Sequence, residues 1–151
     1  MAENGDPVNR YLATRSLMEM TQTWDALEDA FAVHFARYGL SWPKFNALVQ
    51  LYLAGGGLIQ AELSTKVLVS SANVTGLIER LEKDDLVFRE DDPSDRRVLR
   101  VYLTDKARWL MEYFLPIHTA FIGKVMSAPS NQEKEILTEL LGKLKAGLES
   151  D

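Results

Sequence analysis

A chain of 151 residues, 46% of them hydrophobic, is long enough to bury one core and to leave helices over for a partner. It contains no cysteine, which excludes disulfides, thiolate zinc ligands and thiol redox sensing and points to a cytoplasmic setting. Net charge is −5 and the pI is near 5.1, so any surface for nucleic acid has to be local.

The opening residues MAENGDPVNR carry no apolar leader, and no run approaches the roughly 18 apolar residues of a membrane span, so neither secretion nor insertion is expected. From Leu17 the positions Leu17, Met20, Trp24, Leu27, Phe31, His34 and Tyr38 step by alternating threes and fours. That spacing predicts a long amphipathic helix ending near Gly39, and Val33 and Phe35 widen its stripe toward a second neighbour. Ser41 reads as the cap of a short second helix that tolerates Pro43 in its first turn and turns Phe45, Leu48, Val49 and Tyr52 inward. Gly55, Gly56 and Gly57 break it, since each glycine costs a helix about 1 kcal/mol relative to alanine.

A third helix is expected over residues 58–66, with VLVS as a tight connection to a fourth, SANVTGLIERLEKDD, capped by Ser70 or Ser71. In the fourth helix Val74, Leu77, Ile78 and Leu81 fall at i, i+3, i+4 and i+7 and face inward; Ser71, Asn73, Thr75, Gly76, Glu79, Arg80 and Lys83 face outward. Asp85 occupies the left-handed position that often ends a helix. The period then changes from 3.6 to 2 in LVFRE and VLRVYL, which predicts a hairpin with Leu99, Val101 and Leu103 on one face and a charged tip. Thr104 and Asp105 supply a cap and a negative charge to a fifth helix with Leu110, Phe114, Ile117, Phe121 and Val125 on its apolar side and a kink at Pro116. A sixth helix carries Ile136, Leu137, Leu140, Leu141, Leu144 and Leu148.

Two short helices joined by a tight turn and followed by a hairpin spell a winged helix-turn-helix, in which the fourth helix enters a DNA major groove and the hairpin tip reaches the adjacent minor groove. A tip of this kind needs arginine, because a narrow minor groove concentrates negative potential, and it needs aspartates to stiffen the turn and orient the guanidiniums. Metal binding is not expected: counted from Asp91, the sixth and twelfth positions that a calcium loop fills with glycine and glutamate are Arg96 and Tyr102. His34 and His118 lack the i+4 partner of a zinc helix, and no phosphate loop, dinucleotide fingerprint or nucleophile elbow occurs, so neither an enzyme nor a cofactor is expected.

The stretch AELSTKVLVSSANVTGLIERLEKDDLV followed by DDPSDRRVLRVYLT resembles the core of the multiple antibiotic resistance regulator (MarR) family. The resemblance implies a dimeric winged-helix transcription factor, often a repressor released by small aromatic or lipophilic molecules. Its most specific element is the wing pattern D-P-x-D-x-R, met by Asp92, Pro93, Ser94, Asp95, Arg96 and Arg97. By that match Arg97 is the minor-groove arginine and Asp95 steadies it, while Ser70, Ser71, Asn73, Thr75 and Gly76 match the reading face of the fourth helix. Many members carry a polar side chain where Gly76 stands, so one base contact is absent here, and Asp85 replaces a usual glycine.

The expected fold is mainly α (α+β), a single domain over residues 1–151. Residues 58–104 would form the DNA-binding unit and residues 8–38 and 105–149 the dimerisation helices. The expected partners are a pseudo-palindromic double-stranded operator, a second copy of the chain and a small aromatic effector lodged near Trp24, His34, Trp109 and Tyr113. Between Ser70 and Leu103 six basic residues meet eight acidic ones, so binding has to rest on directed contacts, with Arg80, Arg96 and Arg97 the expected cations. The alternative is a winged-helix module that binds protein and no DNA.

Overall fold

The computed structural model describes residues 6–67 and 71–150. Helix α1 (Pro7–Ala36) starts with Pro7 in its first turn and the Asp6 carboxylate accepting from the Val8 amide at 3.2 Å. Its far end is fastened by aromatic rings: Phe35 is fully buried, 5.1 Å from Phe45 and 5.8 Å from Trp42 between centroids, and Phe31 meets Trp42 edge-on at 5.6 Å. The expected stripe is only partly inward. Leu17, Met20, Trp24 and Val33 lie open, and the burial of this helix is concentrated at His34 and Phe35. A 3.6 period records that a helix has an apolar side; it does not say whether the same chain covers it.

Helix α2 (Trp42–Ala54) buries Phe45, Ala47, Leu48 and Leu51, and leaves Val49 and Tyr52 half-buried. Ser41 stands at its N-cap position without a side-chain capping bond, and Gly55, with φ +67°, ends it. The chain then departs from expectation. Leu58 and Ile59 form a short strand, β1 (Leu58–Ile59), and helix α3 (Gln60–Val67) begins two residues later than the apolar pattern predicts. Two residues are too few to display a period of 2, and only the pairing of Leu58 with Val101 and of Ile59 with Arg100 makes them a strand.

Helix α4 (Ser71–Lys83) is followed by β2 (Val87–Asp91) and β3 (Leu99–Leu103), and the three strands form an antiparallel sheet in the order β1-β3-β2. The pairing runs from Val87 opposite Leu103 to Asp91 opposite Leu99. Val101 and Leu103 are buried as the alternation predicts, whereas Leu99, at the tip end, is exposed. Asp85 adopts φ +58° between α4 and β2, in the left-handed conformation anticipated for it.

Helix α5 (Asp105–Val125) is capped by Thr104, whose Oγ1 accepts from the Ala107 amide at 3.1 Å and donates to the Asp85 carbonyl at 2.8 Å. Its buried residues are Ala107, Met111, Phe114 and His118, so of the predicted apolar side only Phe114 is fully enclosed, and the helix runs unbroken past Pro116. Helix α6 (Asn131–Leu148) opens on a reciprocal capping box between Ser130 and Glu133. The described residues divide into two compact units, one reaching Met111 and the other starting at Glu112.

Candidate nucleic-acid interface

The fourth helix is held by its inner face. Val74, Leu77, Ile78 and Leu81 are each at most 3% exposed, and each burial of this kind stabilises by roughly 1.5–3 kcal/mol. Helix α3 supplies Leu63 and Val67 to the same core. A polar link joins the two helices: Gln60 Nε2 donates to Thr75 Oγ1 at 2.5 Å. The start of α3 is fixed by Glu62, whose Oε2 accepts from the Ile59 amide at 3.0 Å.

With the inner face committed, the other side of α4 is set by geometry. Asn73, Arg80 and Lys83 are exposed, and Thr75 and Gly76 are half-buried. Ser71 opens the helix, and Ser70 lies outside the described residues together with most of the expected VLVS connection.

The wing tip is organised by Asp92, which with His34 and His118 is a buried polar residue among the described residues. Its carboxylate accepts from the Ser94 amide at 2.8 Å, from the Asp95 amide at 3.3 Å, from the Ser94 hydroxyl and from Arg100 Nε. Such a concentration of donors holds its carboxyl well below the usual carboxylate range, the Ser94 hydroxyl first, then the Ser94 amide, then Arg100. Arg100 in turn is held charged by Asp92 and donates from Nη1 to the Gly57 carbonyl at 3.2 Å, tying the wing to the loop that precedes β1.

Aspartates were expected to stiffen the turn and to aim the arginines. They divide this work differently from the expectation. Asp95 accepts from the Arg97 backbone amide at 3.0 Å, so it shapes the turn and no bond joins it to the Arg97 guanidinium. The arginine that an aspartate does grip is Arg100, a residue the sequence pattern does not single out. Its only signal is an arginine in β3 eight residues after Asp92, within reach once the hairpin register is known. Arg96 and Arg97 are exposed, and among the described residues neither forms an ion pair.

Internal pairing also lightens the acidic balance. Glu82 is taken up by Arg89 at 2.9 Å, Asp84 by Lys44 at 2.5 Å, and Asp92 by Arg100. The arginines engaged are those of the strands; Arg80 of the helix and Arg96 and Arg97 of the tip form no ion pair among the described residues. The four residues expected around an effector are not alike: Trp24, Trp109 and Tyr113 are more than 60% exposed, while His34 is buried beside the rings of Phe35 and Tyr38.

The MarR family model matches residues 40–99, from just before α2 to the first residue of β3. The HTH-type transcriptional regulator MhqR of Bacillus subtilis is 30% identical over 122 residues, covering 81% of this chain and 83% of MhqR. This chain belongs to the MarR family. The transcriptional repressor MprA of Escherichia coli is 31% identical over 144 residues, covering 95% of this chain and 80% of MprA. The crystal structure of the organohalide-sensing regulator RdhR, solved with 2,4-dichlorophenol bound, superposes with a TM-score of 0.81 at 25% identity, over 90% of this chain and 80% of RdhR. A MarR-family chain is a winged helix-turn-helix transcriptional regulator, and the mainly helical fold with its small antiparallel sheet agrees. Among the described residues no helix is long and apolar enough to cross a membrane.

Proposed function

We propose that this MarR-family regulator acts in the cytoplasm as a homodimeric repressor that reads a pseudo-palindromic operator and is released by a small aromatic ligand. Ser70, Ser71, Asn73, Thr75, Gly76 and Arg80 address the major groove, and Arg96 and Arg97, on a turn shaped by Asp95, address the minor groove. The observation that carries the reading is the state of the wing tip: a turn braced by a buried aspartate presents two arginines with no ion-pair partner among the described residues.

The dimer is supported by α6, none of whose residues is buried: Ile136, Leu137, Leu140, Leu141, Leu144 and Leu148 are all at least 41% exposed on one chain. An apolar stripe of that length marks a surface that another chain covers. The exposed Leu17, Met20 and Trp24 of α1 support the same conclusion, with both ends of the chain, residues 8–38 and 105–149, giving the interface. Two copies related by a two-fold axis set their α4 helices for half-sites about one helical turn apart. RdhR with its dichlorophenol supports the class of effector. Such a ligand acts only through its difference in affinity between DNA-compatible and DNA-incompatible states.

Gel shift with DNA from upstream of the protein's own gene, set against random duplex, tests the reading, with light scattering for the oligomer. A dimer that prefers the upstream DNA and lets go on addition of salicylate or 2,4-dichlorophenol is expected. Equal affinity for both duplexes overturns sequence reading, and a monomer overturns the geometry. Calorimetry that finds no uptake of either aromatic, or uptake unchanged by Trp24→Ala, overturns the proposed effector contact.

A further inference from the structure

On the outer side of α4 the side chains are not equally free to read bases. The Thr75 hydroxyl is already engaged by Gln60. Gly76 has no side chain, and a β-carbon built there would lie 3.5 Å from Arg80 Nη1. The Arg80 guanidinium therefore lies back over the glycine one turn earlier, in the direction in which helical side chains lean. The acid best placed to capture it at i+4, Asp84, is bound by Lys44 instead. Arg80 is exposed and forms no ion pair among the described residues.

We propose that Arg80, laid over Gly76, is the specificity-determining side chain of α4 and reads a guanine in each half-site, donating two N–H bonds to O6 and N7 in the major groove. The inference rests on the DNA-reading function proposed above and gives that site its base. The glycine has two effects: it leaves a shallow place in which the planar guanidinium settles, and it removes the side chain that would hold the duplex away. Arginine suits the task and lysine does not, because only the guanidinium fork matches both guanine acceptors at once.

Selection from a pool of randomised duplexes by the full-length protein tests this. The wild type is expected to enrich a palindrome with one guanine per half-site preferred roughly tenfold or more. Arg80→Ala and Arg80→Lys are both expected to lower that preference to about twofold or less while the other positions keep theirs. Gly76→Ala, whose methyl would make only ordinary contact, is expected to keep it, and Gly76→Leu, which fills the space, to lose it at the same position. If the wild type enriches no sequence, the DNA-reading function fails. If it enriches a palindrome that Arg80→Ala and Arg80→Lys reproduce at every position, Arg80 only touches the backbone and this inference fails alone. Circular dichroism melts matched to the wild type confirm that each variant is folded.

Discussion

Arg100 donates from Nε to the buried carboxylate of Asp92 and from Nη1 to the Gly57 carbonyl, so one side chain joins the wing turn, strand β3 and the loop before β1. Neither Arg100 nor Asp92 is a candidate DNA contact, yet both decide where the tip sits. Asp92→Asn removes the charge and one acceptor while keeping the volume. The Ser94 and Asp95 amides should then exchange with deuterium faster, and the operator complex should dissociate sooner, with little change in global melting. Unaltered protection of those amides would show that the turn holds its shape without the carboxylate.

Arg97→Ala tests the tip itself. A specific arginine contact is worth about 1–3 kcal/mol, and a cation removed from the interface lowers the salt slope of binding by about one. Operator titrations at several salt concentrations should show both effects. Full affinity with an unaltered slope would place this arginine off the DNA.

Gly55 and Gly57 share a left-handed backbone, with φ +67° and +75°, but not the same surroundings. Nothing lies within 4 Å of a β-carbon at Gly55, whereas at Gly57 the Tyr102 ring would be 2.5 Å away. Gly55→Ala should lose only the conformational penalty of about 1–2 kcal/mol. Gly57→Ala should lose more, because the ring is stacked on Phe88 and has to move. Thermal melts of the two variants compare them directly, and equal losses would contradict the close approach.

Leu81 is fully buried on the inner face of α4. Leu81→Ala should destabilise by about 2–5 kcal/mol through lost transfer energy and the cavity left behind. Urea unfolding at a fixed protein concentration should show a lower midpoint with an unchanged slope. A loss under 1 kcal/mol, on the scale of ~0.5 kcal/mol typical of surface sites, would place Leu81 outside the core.

Acid should act in two steps. His34 has its pKa lowered from 6.5, first by burial and then by Arg37, so the folded chain favours the neutral ring. Its contribution is whole above pH 6.5 and is lost as pH falls from there through the lowered folded value. Asp92 is also lowered, from 3.8, so its contribution is whole above that pH and disappears only in stronger acid. Stability measured between pH 8 and 5 should therefore decline on the acid side, and His34→Gln should flatten the decline. Wing protection should persist through the same range.

The linear pattern was enough to establish the order of the six helices and of the hairpin, and the inner face of α4. Val74, Leu77, Ile78 and Leu81 reveal themselves by spacing, because a helix with one apolar stripe can bury only that stripe. The candidate cations were readable for the same reason, being the polar residues left on the other side and at the turn. Strand β1 was not readable, since two residues carry no period and become a strand only when β3 offers them its edge. Which aspartate braces the wing, which arginine it holds and which arginine leans over Gly76 were also beyond the sequence. Those depend on distances between residues brought together by register and helical turn, and a carboxylate bonds to the donors within about 3 Å of it, whatever their place in the chain.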